Sequence, residues 1–178
     1  MSTFRLLHEQ YPPKEREGNR VKLIELMGEN ASAAKSALKL VELNSQQVSS
    51  DDSAEMVEMF ETHDHVEIIK GLCFAVSVVS SFLNGGESTA PIFKAIRNSI
   101  DTAFNEGHEV ETNYKVLNLL DAISEPGGSF YLQVYSLKEP FEVILGLTTL
   151  FQTLVKTSLG KDVEEVTDYL SHLIDQSL

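Results

Sequence analysis

Apolar residues recur along most of the chain at intervals of three or four, a spacing that places side chains on one face of an α-helix. The pattern is densest from His65 to Leu83, where nearly every face of a helix would be apolar. Helices that are apolar all round lie at the centre of a fold. We therefore expect this segment to form the central helix of the core. Its β-branched content leaves a buried strand as the alternative.

Capping residues, glycine and proline divide the remaining periodic sequence into further helices. Pro91 and Pro140 lie at favoured first-turn positions, and Ile100 and Phe104 are expected on the core face of the helix after Pro91. Helices are predicted over 20–27, 30–43, 65–83, 89–105, 111–123, 140–159 and from 162 onwards. The predicted fold class is mainly α: a single-domain helical bundle of about seven helices, with at most one short strand or hairpin near 129–137.

The first twenty residues differ from the rest, which divides the chain into an extended N-terminal arm (residues 1–20) and a helical domain (residues 21–178). Three of the four arginines lie in the arm, and the Pro12–Pro13 pair prevents a helix at that point. We expect the apolar side chains of the arm to pack on its own domain or on a neighbouring chain. The candidate partner-binding residues in the arm are Phe4, Arg5, Leu7 and Tyr11.

One stretch departs from helical spacing. Over residues 130–135, alternate positions are apolar, and a period of two is typical of a β-strand. A lone strand must pair with a hidden second strand, with the arm or with another chain. Tyr131 and Tyr135, with Phe130, are also candidates for a recognition surface, because aromatic residues are enriched at protein interfaces. The alternative is a strand packed on the helices with its tyrosine hydroxyl groups at the edge.

Acidic residues outnumber basic ones by 27 to 14, and the formal net charge is −13. Because phosphate-backbone binding depends on clustered Lys and Arg, direct nucleic-acid binding is disfavoured, whereas a basic protein partner is compatible with this charge. The acidic stripe, residues 51–67, holds seven carboxylates and no Lys or Arg. We interpret it either as a solubilising face or as a docking surface for a basic partner, with Glu55, Glu58 and Glu61 as candidate contacts.

Motifs of several common catalytic sites are absent: no GxGxxG, GxxxxGK[ST], GxSxG or Glu-x-x-His occurs. We expect no catalytic residue and no cofactor. Within residues 61–67, His63 and His65 are weak candidates for binding a divalent metal, since each has a glutamate four residues away. A solvated helix end is the alternative for this cluster. Cys73, the only cysteine, is expected to be a buried and unreactive thiol.

These features predict a noncatalytic, acidic protein–protein interaction module, regulatory or structural, that works as an oligomer or in a complex. The first alternative is a viral or phage-type inhibitor of a host protein that mimics DNA, and the second is a metal-dependent enzyme or sensor using residues 61–67. Lys70 and several serines interrupt the longest apolar run, and no hydrophobic leader is evident in the first ten residues. We expect a cytoplasmic or nuclear protein, in the host cytoplasm if viral, without a membrane span.

Overall fold

A computed structural model of the chain describes residues 31–45, 58, 61, 64–85, 89–123 and 129–177. Within these ranges the chain forms seven α-helices, which are α1 (Ala31–Ser45), α2 (His65–Leu83), α3 (Ala90–Asn105), α4 (Glu111–Ile123), α5 (Ser129–Tyr135), α6 (Pro140–Thr153) and α7 (Val163–Ser177). A π-helical turn, Leu154–Leu159, continues α6. The described ranges contain no strand, and the prediction of a mainly α helical bundle is confirmed.

Helix α2 forms the centre of the fold, as its apolar sequence predicts. Fifteen of its nineteen residues are buried, and α1, α4 and α6 pack around it. Asp64 begins the helix, because its carboxylate accepts a hydrogen bond from the backbone N–H of Val66 at 3.0 Å. Gly85 follows its end with a φ of +66°, a left-handed conformation that glycine adopts without strain. The alternative of a buried strand in this segment is wrong.

Helix α2 is also long and apolar enough to cross a membrane, with a mean hydropathy of 1.8. The fold buries 83% of that apolar window, as is usual for the core helix of a globular protein. Among the described residues, one further stretch meets the same criteria, but only if α6 and α7 are joined across a bend of 104°. The position of α2 inside the bundle is therefore sufficient to explain its composition.

Residues 129–135 form a helix, so the interpretation of their alternating pattern as a strand is wrong, while the limit of at most one short strand near 129–137 holds for the described residues. Phe130 and Val134 are buried one helical turn apart, and α5 packs against α4 and α2. Leu132, which the alternating pattern placed on the same side, is 75% exposed. Positions i and i+4 share a face in a strand as well as in a helix, so Phe130 and Val134 agree with both periodicities. Leu132 distinguishes the two periodicities: a strand would place it on the same side as Phe130 and Val134, whereas the helix leaves it exposed.

Helix α3 lies beside α4 and buries only two of its side chains, Phe93 and Ile100. An ion pair joins the two helices, with Arg97 Nη2 2.9 Å from Asp121 Oδ2. Phe104, one turn after Ile100, is 61% exposed. The expectation that Phe104 belongs to the core face is therefore wrong, because the last turn of α3 directs Ala103, and not Phe104, toward the core.

The chain turns sharply between α6 and α7. Gly160 has a φ of +65°, and the backbone N–H of Lys161 donates to the Val155 carbonyl at 3.1 Å, which closes the π-helical turn. Helix α7 then packs against α1, where Lys35 and Asp175 form an exposed ion pair. Exposed ion pairs contribute at most about 1 kcal/mol to stability. The buried apolar face of α7 is therefore the main reason that it stays on the bundle.

Candidate interaction surfaces

Three exposed side chains of α5, Tyr131, Leu132 and Tyr135, form what we call the tyrosine surface. Leu132 is 75% exposed and Tyr135 is 70% exposed. The Phe130 ring packs edge-on against the Tyr131 ring, with 5.5 Å between the ring centroids. Because Phe130 is itself buried, this contact holds Tyr131 against the bundle. The sequence grouped Phe130 with Tyr131 and Tyr135 as candidates for recognition, and the fold exposes the two tyrosines but buries Phe130.

Tyr131 connects the tyrosine surface to the central helix through Lys70. The Lys70 ammonium group donates a hydrogen bond to the Tyr131 hydroxyl oxygen at 2.8 Å, and its Nζ lies 5.4 Å from the ring centroid. A cation at this distance is also attracted to the aromatic ring. Glu67 lies one turn before Lys70 on α2 and is exposed. The fold therefore places the tyrosine surface beside the C-terminal end of the acidic stripe.

The described part of the acidic stripe is open to solvent. Glu58 and Glu61 are helical and exposed, Asp64 caps α2, and Glu67 lies in the first turn of α2. Asp64 and Glu67 also stabilise α2, because negative charge near a helix N terminus interacts favourably with the helix dipole. Glu58 and Glu61 precede this helix and have no such role in it. The exposed Glu61 side chain is accessible to a basic partner.

The described residues do not assemble a metal site. His65 is exposed, and its Nδ1 lies 3.6 Å from Asp64 Oδ1, which makes a single pair. No group of three or more His, Cys, Asp or Glu side chains able to hold an ion occurs in the described ranges. Two protein ligands are fewer than zinc sites usually provide. His65 therefore gives the metal-dependent alternative no structural support.

Several predicted contacts lie outside the described residues. These are the arm residues Phe4, Arg5, Leu7 and Tyr11, the acidic residue Glu55 and the metal candidate His63. Their roles remain predictions.

The thiol of Cys73 is enclosed in the core. Cys73 lies in α2 with none of its surface exposed, and burial raises the pKa of the thiol far above its usual range. The thiolate, which is the reactive form, is therefore not formed in the folded protein at neutral pH. The prediction of a buried thiol is confirmed.

A groove between α3, α4 and α6 forms a second surface, which we call the α3–α4–α6 groove and which the sequence did not predict. Its cavity has a volume of about 390 Å³. Aliphatic and polar side chains both line it, among them Ile100, Val116, Leu145 and Leu150 together with Asn113 and Thr149. Because these residues come from three helices, no local motif reveals the groove. The nearest sequence signal is the row of small and hydroxyl residues Gly146, Thr149 and Thr153 on one face of an otherwise apolar helix.

Gly146 sets the distance between α4 and α6 at the floor of the groove. A Cβ atom at this position would lie 2.9 Å from Val116 Cγ2 and 3.7 Å from Thr112 Cγ2. The first distance is shorter than carbon atoms tolerate, so only glycine permits this approach. On the same side, the Thr112 hydroxyl donates to Glu142 Oε2 at 3.3 Å. The groove therefore has a floor fixed by direct packing of two helices.

Acidic residues are concentrated where α3 ends and α4 begins, close in sequence to Ile100 and Asn113 of the groove lining. Residues 101–111 hold four acidic residues and no Lys or Arg. The Tyr114 hydroxyl donates to the Asp101 carboxylate, and this hydrogen bond raises the pKa of Tyr114. At the start of α6, a hydrogen bond with the Glu142 carboxyl group raises the pKa of Glu139. Lys115 Nζ lies 3.3 Å from Glu111 Oε1, so one of the four acidic residues is paired with a cation. The other three leave this end of the groove, the anionic end, with an excess of acidic side chains.

No protein-family model, curated protein or solved structure matches this chain.

Proposed function

We propose that the protein is a noncatalytic interaction module, which binds a protein partner through the tyrosine surface and the adjoining acidic stripe. The observation that carries this proposal is the exposure of Tyr131, Leu132 and Tyr135 on one short helix whose other face is anchored in the core by Phe130 and Val134. The protein works as an oligomer or within a complex.

The chemistry of the tyrosine surface is that of an interface rather than of a solubilising face. Tyrosine contributes a large contact area and a hydrogen-bonding hydroxyl group, and it is common among the residues that dominate binding energy. Adjacent exposed apolar side chains favour coverage by a partner, because covering them removes apolar area from water. The Lys70 hydrogen bond and the Phe130 ring contact hold Tyr131 in place, which lowers the entropic cost of binding.

The charge beside this surface specifies the kind of partner. Glu58, Glu61 and Glu67 are exposed, and the acidic stripe contains no Lys or Arg. A partner with a basic patch next to an apolar pocket would complement both features, and opposite charges accelerate association and exclude acidic competitors. An inhibitor that mimics DNA would rely on the carboxylates alone. The exposed tyrosine side chains therefore favour an interaction module with a protein partner over an inhibitor that mimics DNA.

Replacement of Tyr135 by serine should weaken binding of a protein that copurifies with the intact chain by about tenfold or more, the loss typical of an aromatic residue at the centre of an interface. The measurement is the dissociation constant of the purified complex by isothermal titration calorimetry. Phe141→Ser is the matched control, because Phe141 is an exposed aromatic residue on a different helix. An equal loss of affinity in both variants, or unchanged affinity in Tyr135→Ser, would contradict the proposal that the tyrosine surface binds the partner.

Deletion of residues 1–20 should change the mass of the assembly while leaving the helical content largely intact. The arm holds apolar side chains and a proline pair whose restricted backbone reduces the ordering cost of docking. Size-exclusion chromatography with light scattering measures the mass, and circular dichroism measures the helical content. An identical mass with and without the arm would show that the arm does not contribute to assembly.

A further inference from the structure

The α3–α4–α6 groove exposes a mainly apolar lining from three helices, the kind of lining that accepts one face of a further helix. Its floor is apolar and rigid, because Val116 packs directly on Gly146. Leu145 is 38% exposed at its edge, and Phe104 continues the apolar face of α3 one turn beyond Ile100. Grooves of this kind bind amphipathic helices through apolar residues spaced at i, i+3 or i+4 and i+7.

The acidic residues near the groove indicate which kind of helix it would bind. Residues 101–111 contribute four carboxylates near one end of the groove, of which Glu111 is paired with Lys115. The C terminus of α3 adds the negative end of a helix dipole there. Glu142 adds a further carboxylate beside Thr112. A helix that carries Lys or Arg next to its apolar face would pair with these groups.

We propose that the α3–α4–α6 groove binds a basic amphipathic helix of a partner protein, with its apolar residues over Ile100, Val116 and Leu150 and its Lys or Arg residues at the anionic end.

A second copy of this chain fits poorly, because its net charge of −13 would bring acidic surface onto acidic surface. The arm is nearly neutral, with four Lys or Arg and three Glu in residues 1–20, and offers less charge complementarity. The groove shares no residue with the tyrosine surface, so this inference goes beyond the proposed function and does not depend on it.

A synthetic peptide provides the probe. It is a dye-labelled helix of about 18 residues, or five turns, with leucine on one face and lysine on the other. One control peptide has glutamate in place of lysine, and another has the same composition with the leucines scrambled. Fluorescence anisotropy with the full-length protein measures binding at about 0.15 M salt, which screens nonspecific attraction between exposed charges.

The basic amphipathic peptide should bind about tenfold more tightly than either control peptide, and Leu145→Gln should weaken it about tenfold. Leu132→Gln is the matched control, since it changes an exposed leucine on the tyrosine surface and should leave peptide binding unchanged. Neither leucine is buried, so both variants should fold. In ¹⁵N-labelled protein, the peptide should shift the amide resonances of Gly146 and Thr149.

Four results would overturn the proposal: no binding, equal binding of the scrambled peptide, equal binding of the glutamate peptide, or unchanged affinity in Leu145→Gln. If the full-length Leu7→Gln variant binds the peptide and the unmodified chain does not, the arm is the occupant instead. If the unmodified chain sediments as a dimer and Leu145→Gln as a monomer, the occupant is a second copy. Failure of this test leaves the Tyr135→Ser comparison unaffected, because the two tests use different surfaces.

Discussion

Replacement of Phe82 by alanine is expected to lower the free energy of unfolding by about 3 to 5 kcal/mol, the usual cost of removing a buried phenylalanine ring. Phe82 lies in the last turn of α2 and is buried. Its ring centroid is 5.7 Å from that of Tyr169, with an angle of 56° between the ring planes. The contact joins the central helix to α7, so the substitution loses apolar burial and an aromatic pair together.

Urea denaturation followed by circular dichroism measures the effect of Phe82→Ala. Leu132→Ala is the matched control, because it removes a large apolar side chain that is 75% exposed, and its cost should stay within about 0.5 kcal/mol. A cost for Phe82→Ala as small as that of the control would mean that the C-terminal end of α2 is not part of the core.

Replacement of Gly146 by alanine is expected to lower the free energy of unfolding by about 1 to 3 kcal/mol, the range found for overpacking. The new Cβ would lie 2.9 Å from Val116 Cγ2. Val116 is buried and β-branched, so its side chain has little freedom to rotate away within a helix. Helices α4 and α6 would have to separate instead, which also displaces the floor of the α3–α4–α6 groove.

A double-mutant cycle isolates this contact. In the Val116→Ala background, which removes the Cγ2 atom, Gly146→Ala should cost much less than in the unmodified chain, because the clash is absent. Gly107→Ala is the control: Gly107 has open space around it and a φ of +87°, so its substitution costs backbone strain that does not depend on Val116. Equal costs of Gly146→Ala in both backgrounds would exclude the steric explanation.

The two candidate surfaces differ in how far the sequence predicted them. Residue type alone identifies Tyr131 and Tyr135 as candidates for partner binding. The sequence pattern placed them in a strand, whereas they lie in a helix. Their position beside the acidic stripe depends on the packing of α5 against α2, where Lys70 donates a hydrogen bond to Tyr131. The sequence gives the chemical type of each side chain directly. Which two segments lie next to each other depends on how the helices pack.

The α3–α4–α6 groove could not be predicted in the same way. Ile100 and Val116 look like ordinary core residues, because each lies on the apolar face of its own helix. Leu145 belongs to a helix that is apolar on most sides, so its position relative to the core cannot be read from the sequence. The structure buries Ile100 and Val116 but leaves Leu145 partly exposed at the edge of the cavity. Whether an apolar face is covered depends on the positions of neighbouring helices, which periodicity does not report.

The sequence by itself determined the mainly α architecture, the central position of α2 and the concentration of acidic residues in one early stripe. These three features follow from properties of short stretches of sequence, namely helical periodicity, apolar content, turn residues and charge. Tertiary structure alone decided that residues 129–135 are helical, that Phe104 is exposed, and that α3, α4 and α6 leave a groove between them. The physical reason is that burial is a relation between elements. Phe130 and Val134 fit a strand or a helix equally well until α4 and α2 cover them and leave Leu132 in solvent.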